Sequence, residues 1–408
     1  MQGAYFPAHK ELNNAEPMRP PQDDVRATDG SGHRQSINKE DIISPDALDD
    51  KFGKCKSGVG WKPSVGYFVH NEVEEIGKLS ESLHDGTHKI KKARFFKVME
   101  PKPRDIMSIH FCDRIYLRSL NDTAIYPQIS ESLISDNFAC QKGKGTDPAR
   151  KRLREFLYSF YRKHKLNGYR LQVDIRGYYP NMDRNYSYSV MRKRLDSESY
   201  QMVLKVLKNH PGDIGYHPGD QTIQNVGIAA LDDLDHFIKE QLRIKYYIRY
   251  MDDFILLHED RQYLEECREK IREILTRQKM VLNMEKTEIK PIKDTFIFLG
   301  FSYRLTESGK VVILVDPKKI KHEKLKLRRM ASHVINETPI PKKKVTVRLT
   351  KKDVDRHFRD FKSCIRFGDS VRTIEKLNRY YKNLWKGTKY ERNQDQKTED
   401  GNRRPEGH

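Results

Sequence analysis

Two adjacent carboxylates, Asp252 and Asp253, form the pair in this chain that is best placed to do chemistry. They lie between an aromatic and β-branched stretch, residues 245–250, and a short apolar run, residues 254–257. Because such residues favour β-strands, the sequence predicts a tight hairpin with both aspartates at its turn. Acidic residues in turns often only accept hydrogen bonds from local backbone amides, so the pair needs a second observation.

A third carboxylate, Asp174, ends another predicted strand, residues 169–175. Mg²⁺ takes octahedral oxygen ligands, usually a few carboxylates completed by water and substrate phosphates. Three carboxylates on neighbouring strands suit two such ions, which stabilise the attacking and the leaving oxygen of an in-line displacement. Extension of a nucleic acid from a 3′-hydroxyl by a nucleoside triphosphate has this requirement. The three residues therefore predict nucleotidyl transfer.

The segment LQVDIRGYYPNMD around Asp174 and the YMDD turn resemble the first and second catalytic motifs of the reverse transcriptases, and the resemblance runs in order over residues 91–385. It implies an α+β right-hand polymerase fold with fingers, a palm of antiparallel sheet and helices, and a short helical thumb. It assigns catalysis and the binding of two Mg²⁺ ions, with Mn²⁺ as the alternative ion, to four positions: Asp174, Ile175 through its backbone carbonyl, Asp252 and Asp253.

The resemblance also implies residues that bind the incoming dNTP. Lys97 and Arg104 lie on a predicted fingers hairpin, where the family's basic residues clamp the triphosphate. Arginine offers a planar fork to phosphate oxygens and lysine a point charge, although a solvated basic face is the alternative for Lys97. Tyr179, five residues after Asp174, matches the family's aromatic that excludes a 2′-hydroxyl, and packing beside Tyr178 is its alternative.

Gly219 matches the glycine of a family motif that seats the nascent base pair. The motif departs from the family here, because Pro218 replaces the usual glutamine and Ile223 the usual serine. The metal ligands are intact, but fidelity, template choice and subfamily are left open by these two changes.

Two further segments are expected to contact template or primer, and one lysine is expected to take part in catalysis. A glycine and lysine loop carries Lys142 and Lys144 and precedes a helical pattern, which suits a template backbone, although a plain loop is the alternative. By resemblance, Lys286 protonates the leaving pyrophosphate, while a solvated lysine is the simpler reading. Phe298, Leu299 and Gly300 resemble the start of the primer-grip hairpin, whose partner strand is expected at residues 310–315 after a turn at residues 307–309.

The C-terminal region predicts a thumb whose helices pack by apolar faces and turn cations toward a duplex. Its basic run, residues 318–329, includes Lys324, Lys326, Arg328 and Arg329. The formal net charge of +20 agrees with a polyanionic partner bound in a salt-dependent way.

Composition predicts the organisation along the chain. Both ends are polar and lack periodicity, which is typical of disordered segments. The expected divisions are a disordered or RNA-contacting N-terminal extension, the fingers, the palm with the catalytic site, the thumb and a disordered tail, at residues 1–55, 56–168, 169–305, 306–390 and 391–408.

The resemblance implies an RNA-directed DNA polymerase that copies a dedicated noncoding RNA into cDNA, as do compact bacterial enzymes related to those of group II introns, diversity-generating retroelements and antiphage defence. The short segment after the thumb disfavours a self-sufficient intron enzyme. Defence is preferred to a retroelement because Pro218 and Ile223 fit the retroelement motif poorly. A noncatalytic RNA-binding protein and an RNA-dependent RNA polymerase are disfavoured by the intact aspartates and by Tyr179, respectively.

The expected partners are a noncoding RNA template, a DNA or RNA primer and dNTPs, with an accessory protein as a further candidate. The sequence has no apolar segment of membrane-spanning length and no signal-peptide pattern. Its five cysteines are odd in number and lack paired metal spacing, as expected of reduced thiols. A cytoplasmic location without membrane contact is the resulting expectation.

Overall fold

The β-rich stretches that carry the three aspartates form one antiparallel sheet in the computed structural model, which describes residues 37–99, 103–342 and 345–391. Eleven strands occur in these residues: β1 Arg94–Val98, β2 Arg104–Ser108, β3 Tyr169–Asp174, β4 Tyr246–Tyr250, β5 Asp253–His258, β6 Glu288–Pro291, β7 Phe296–Phe298, β8 Phe301–Leu305, β9 Val311–Val315, β10 Ile340–Lys342 and β11 Val345–Val347.

Fifteen α-helices surround the strands in the same residues: α1 Glu40–Ile43, α2 Pro45–Lys56, α3 Pro63–His70, α4 Glu72–His84, α5 Phe111–Leu120, α6 Tyr126–Ser130, α7 Thr146–His164, α8 Arg184–Arg194, α9 Ser197–Lys208, α10 Gln221–Ala230, α11 Asp232–His236, α12 Arg261–Arg277, α13 Pro317–Ile335, α14 Lys351–Cys364 and α15 Val371–Asn383. Two π-helical turns, Asn121–Ile125 and Phe237–Gln241, follow α5 and α11.

The central sheet has the strand order β4-β5-β3-β6, with every pair antiparallel. Its side chains alternate between two cores, because successive residues of a strand point to opposite faces. Phe254 and Leu256 join a core with helices α1 to α5 and α8 to α12, whereas Ile255 and Leu257 join a core with α7, β7 to β9 and α13 to α15. Burying each such side chain contributes about 1.5–3 kcal/mol. The palm is thus a sheet covered on both faces.

Aspartates fix where several helices begin. An aspartate at the N-cap accepts a hydrogen bond from a backbone N–H of the first turn, which stabilises a helix by about 1 kcal/mol. Asp260 does this for α12, as its position in the sequence predicts. The other helices capped in this way are α8, α9, α10 and α13, by Asp183, Asp196, Asp220 and Asp316.

The expected N-terminal extension of residues 1–55 differs from the structure in the part that is described. Residues from Glu40 onward form α1 and α2, whose Ile42, Ile43, Leu48 and Phe52 are buried. Four apolar residues at helical spacing suffice to dock this segment on α4 and α5, although its overall composition is polar. Residues 1–36 lie outside the described residues, as does the expected tail from residue 392.

The C-terminal helices agree with the predicted thumb pattern. Phe358 and Ile365 at the end of α14, and Leu377 and Tyr381 on α15, are buried in one core with Leu327 of α13. The right-hand α+β expectation is confirmed by this arrangement of sheet and helices. None of the helices in the described part of the chain has the length and apolar content needed to cross a membrane.

Candidate active site

The predicted aspartate hairpin is present. Tyr250 of β4 pairs with Asp253 of β5, so Met251 and Asp252 form the two-residue turn between them. Met251 has φ of 58°, a conformation that primed hairpin turns require and that side-chain-bearing residues rarely adopt. The turn therefore depends on contacts that hold Met251 in place.

Asp174 lies directly opposite Asp253 in the β3–β5 ladder. Residues in direct register on antiparallel strands have their Cα atoms about 4.5–5.5 Å apart and their side chains on the same face. Asp252 lies in the turn just before Asp253. Burial raises the pKa of Asp252, and the negative charge of Asp174 adds to that rise. The fold thus brings Asp174 next to the two adjacent aspartates, which are far from it in the sequence.

The electrostatics show carboxylates that repel one another in a desolvated site. Burial raises the pKa of Asp253 to about 7, with a further contribution from the negative charge of Asp252. Burial and the charge of Asp174 also raise the pKa of Asp252, and the cations Arg104 and Lys286 oppose that rise. Such a cluster requires positive charge to ionise fully.

Two side chains after α12 hold Asp174. Asn283 donates from Nδ2 to Asp174 Oδ2 at 2.7 Å, and Lys286 Nζ lies 3.3 Å from the same oxygen. The Lys286 ammonium group is therefore at the catalytic carboxylates, where the resemblance expected it. Asn283 was not singled out from the sequence, because an asparagine in a polar strand has no spacing signal.

The backbone of Ile175 fits its expected part as a metal ligand. Ile175 bridges to Leu282, and the two bonds of this bridge run from Arg176 N to Val281 O and from Asn283 N to Asp174 O. The bridge thus leaves the Ile175 carbonyl out of its bonds. Three carboxylates and one carbonyl are the oxygen donors that Mg²⁺ or Mn²⁺ takes, so the residues present fit such ions.

The raised pKa of Asp253 predicts a pH-dependent stability in metal-free buffer. The unfolded chain releases this proton near pH 4, whereas the folded protein keeps it to about pH 7. The folded state binds more protons in between, so the group lowers the free energy of unfolding as pH rises from 4 to 7, by up to roughly 4 kcal/mol. Urea titrations in EDTA should show Asp253→Asn gaining stability over the wild type across this window. A constant difference between the two proteins would contradict the prediction.

The fingers hairpin separates two residues that were expected to act together. Lys97 pairs with Asp105 and Val98 with Arg104, so Lys97 and Arg104 point to opposite faces of the β1–β2 ribbon. The Lys97 side chain is 68% exposed and its Nζ lies 3.9 Å from the Asp105 carboxylate. Burial raises the pKa of Asp252, and the positive charge of Arg104 is near enough to oppose that rise. Triphosphate contact stays a prediction for both, and the geometry favours Arg104.

Tyr179 lies against the aspartate turn. Its hydroxyl donates to Met251 Sδ at 3.4 Å, and a methyl group added at Gly227 of α10 would lie 2.6 Å from that oxygen. Burial raises the pKa of Tyr179, with smaller effects from Cys140 and Asp252. Its position between α10 and the turn is compatible with contact to a nucleotide sugar.

A glycine is required at position 219 because the backbone there lies close to strand β2. Its φ is 134°, and a Cβ there would lie 2.0 Å from the Met107 carbonyl oxygen. Pro218 accepts a hydrogen bond from Met107 N through its own carbonyl, a contact available to any residue. Ile223 is buried in the core, which explains an apolar residue at that position.

A cavity of about 560 Å³ lies next to Gly219 and is also lined by Phe96 and Ile106. These two residues are on the face of the β1–β2 ribbon that carries Arg104.

The two loop lysines differ in their surroundings. Lys144 Nζ donates to the carbonyls of Ser135 and Asn137 at 3.0 and 2.8 Å, and burial lowers its pKa. This ammonium group holds the loop together, which disfavours template contact. Lys142 is exposed, with its ammonium group 5.3 Å from the centre of the Tyr126 ring. Template contact stays a prediction for Lys142.

The predicted hairpin is present as β8 and β9. Its first expected residues lie before it, because Phe298 ends β7 and Leu299 and Gly300 form the turn from β7 to β8. Both turn residues have positive φ, 48° and 77°. Arg150 of α7, which is buried, donates to the Leu299 carbonyl at 2.6 Å. Gln172 of β3 donates to the Ile297 carbonyl at 3.0 Å and also interacts with Asp253. The Arg150 contact ties this turn to α7, and the Gln172 contact ties β7 to the aspartate site; the sequence revealed neither.

The four expected thumb cations do not share one surface. Lys324 and Arg328 of α13 line a cavity of about 590 Å³ toward α15, together with Lys321 and Lys376. Burial raises the pKa of Glu323, which pairs with His357 at 3.0 Å, and the positive charge of nearby Lys326 opposes that rise. Arg329 is exposed and does not line the cavity. The cavity side is the better candidate for a phosphate-binding surface.

Residues 228–303 match the family model of reverse transcriptase (RNA-dependent DNA polymerase). No curated protein matches the sequence. Solved structures with similar folds include apo telomerase from Candida tropicalis truncated from its C-terminal domain, at 13% identity and a TM-score of 0.40 over 54% of each chain.

Two further telomerase structures are similar at the same level. Apo telomerase from Candida tropicalis has 11% identity and a TM-score of 0.42, over 60% of this chain and 52% of that one. Telomerase from Candida albicans in complex with a TWJ fragment of telomeric RNA has 9% identity and a TM-score of 0.41, over 77% and 65%. The chain thus spans about half to two thirds of these structures, and superpositions this loose do not bear on function.

The matched segment contains the aspartate turn, Lys286 and the turn at residues 299–300. Asp174 lies outside it and pairs with Asp253 of β5, which lies within it. By this match, residues 228–303 are similar to the reverse transcriptase family, and the sheet and helices around them have the arrangement of the right-hand polymerase fold.

Proposed function

We propose that the protein is an RNA-directed DNA polymerase, which extends a primer with dNTPs by nucleotidyl transfer. The observation that carries the proposal is the convergence of Asp174, Asp252 and Asp253 at one end of the paired strands β3 and β5, with Lys286 Nζ 3.3 Å from Asp174. Two divalent ions held by these carboxylates and the Ile175 carbonyl would supply charge stabilisation at the attacking and leaving oxygens. Mg²⁺ is the first choice and Mn²⁺ the alternative.

The side chains around the carboxylates have separate tasks in this proposal. Arg104, whose positive charge opposes the raised pKa of Asp252, would bind triphosphate oxygens by its planar fork. Lys286, next to Asp174, can give a proton to the leaving pyrophosphate. The Leu299–Gly300 turn, fixed by Arg150, would orient the primer end. Primer extension with homopolymer RNA and labelled dNTP tests the activity directly.

The proposed template is one dedicated noncoding RNA, and the proposed role is bacterial antiphage defence. The high positive charge supports a nucleic-acid partner without naming it. Sequencing of RNA and attached cDNA that copurify with the protein tests this proposal. A single enriched RNA with matching cDNA supports it, whereas a broad RNA population contradicts a dedicated template. Loss of phage protection in the aspartate variants, in cells carrying the locus, tests the defence role.

Sugar selection gives a sharp test of Tyr179. Replacing Tyr179 with Val removes the ring that lies between Met251 and Gly227 and opens space for a 2′-hydroxyl. The preference for dNTP over rNTP should fall by about 10- to 100-fold, measured as the ratio of kcat/KM values. Tyr178→Phe is the matched control, since it keeps a ring and loses only a hydrogen bond to the Gly227 carbonyl. An unchanged ratio in the Tyr179 variant would assign sugar selection to another residue.

A further inference from the structure

A buried ion pair lies directly beneath the aspartate turn. Arg249 of β4 and Asp235 of α11 are both completely buried. Arg249 Nε donates to both carboxylate oxygens of Asp235 at 2.7 and 2.9 Å, and Nη2 donates to Oδ2 at 2.6 Å. Tyr247 adds a third donor, from its hydroxyl to Asp235 Oδ1 at 2.5 Å. The guanidinium group is thus fixed in position by its partner.

The remaining donors of Arg249 reach two backbone carbonyls. Nη1 donates to Met251 O at 3.1 Å, and Nη2 donates to Ile228 O near the end of α10 at 3.0 Å. Met251 is the residue of positive φ in the turn, immediately before Asp252. A bond to its carbonyl therefore restrains the peptide that carries the Asp252 amide, and with it the direction of the Asp252 side chain.

Helix α10 connects this contact to the other side of the site. The helix begins at Gln221, two residues after Gly219, and eight of its ten residues are buried. Near its other end, the Gly227 carbonyl accepts from the Tyr178 hydroxyl and the Ile228 carbonyl accepts from Arg249. A single rigid element thus runs from the fingers contact at Gly219 to the arginine under the aspartate turn.

We propose that Arg249, held by Asp235, is a positioning residue for the aspartate turn and couples it to α10. The role of this pair deepens the proposed polymerase function and rests on it for the catalytic consequence. Burial of an ion pair alone does not require this role, because well-packed apolar residues often replace such pairs without loss of stability. What apolar residues cannot replace is the N–H donor to Met251 O. Stability and positioning are therefore separable by substitution.

The test compares three variants of the pair with the wild type. Arg249→Met with Asp235→Leu removes both charges together, so no charge is left buried without a partner. Arg249→Lys keeps the charge and fewer donors, and Asp235→Asn keeps a polar partner while loosening the guanidinium. Arg194→Met with Asp232→Leu is the matched control, because that buried pair bonds at 3.1 Å and Arg194 also donates to the Val190 carbonyl.

Two readouts are independent of polymerase activity. Hydrogen exchange of the peptide covering residues 246–258 should speed up at least about tenfold around the turn in the Arg249 and Asp235 double variant. Mn²⁺ binding, followed by electron paramagnetic resonance, should weaken in the same variant. The control pair should change neither, whatever its melting temperature. Unchanged exchange and Mn²⁺ affinity in a folded double variant would overturn the proposal.

Single-turnover dNTP incorporation then reports the catalytic consequence. We expect the rate to fall by about 100-fold in the double variant, the loss typical of a misplaced catalytic group, with primer–template affinity within about twofold of the wild type. Arg249→Lys should recover part of the rate. A wild type that incorporates no nucleotide would defeat the proposed function, while the exchange and Mn²⁺ results would still decide whether Arg249 positions the turn. A double variant as active as the wild type would overturn the positioning role.

Discussion

DNA synthesis should be lost when Asp252 and Asp253 are both replaced by alanine, while folding and RNA binding stay largely intact. Asp252 lies in the hairpin turn and Asp253 next to it, opposite Asp174. Neither aspartate belongs to the two hydrophobic cores. Metal-held charge stabilisation in such reactions amounts to several kcal/mol, and each 1.36 kcal/mol is a factor of ten in rate. We therefore expect single-turnover incorporation to fall by at least about 10³-fold.

The control for this variant must match its change in charge. Alanine at Asp213 and Glu131, two exposed acidic residues, removes the same two negative charges away from the turn. Both double variants should bind RNA at least as tightly as the wild type, because each becomes more positive. Only the turn variant should lose synthesis. Wild-type incorporation by the Asp252 and Asp253 variant would remove the basis for nucleotidyl transfer at this site.

Local pattern predicted the elements that carry the site. The aspartate hairpin, the strand ending at Asp174, the Asp260 cap and the turn between β8 and β9 all occur where the residue types favour them. Each depends on interactions within a few residues, such as β propensity, alternation or capping, which a sequence displays directly. The gathering of Asp174 with the turn was accessible because both segments match ordered motifs of one family.

Contacts between distant segments were beyond such patterns. Asn283 on Asp174, Gln172 on the Ile297 carbonyl and Arg249 on Asp235 join residues whose types carry no spacing signal. Hairpin register also decides function, since a shift of one residue moves a side chain to the other face, as the separation of Lys97 from Arg104 shows. The helices that begin at Glu40 were missed because polar composition concealed four docking residues.

Salt-dependent binding is where the basic run of α13 should matter most. Replacing Lys324, Lys326, Arg328 and Arg329 together by glutamine should weaken binding of an RNA–DNA hybrid by at least about tenfold at low salt. Each lost phosphate contact lowers the slope of log K against log salt by about 0.7 to 0.9, so four contacts lower it by about 3. Incorporation from a saturated complex should stay nearly normal, because the four residues lie on α13, outside the sheet that carries the aspartates.

The structure divides this experiment into two halves. Lys324 and Arg328 line the cavity between α13 and α15, whereas Lys326 and Arg329 lie on other sides of the helix. If the duplex follows the cavity, Lys324→Gln with Arg328→Gln should account for most of the lost affinity, and Lys326→Gln with Arg329→Gln should behave almost as the wild type. Equal losses in the two pairs would indicate a diffuse electrostatic field with no defined surface. If affinity and slope stay unchanged even in the quadruple variant, the run is solvated surface and the duplex is bound elsewhere.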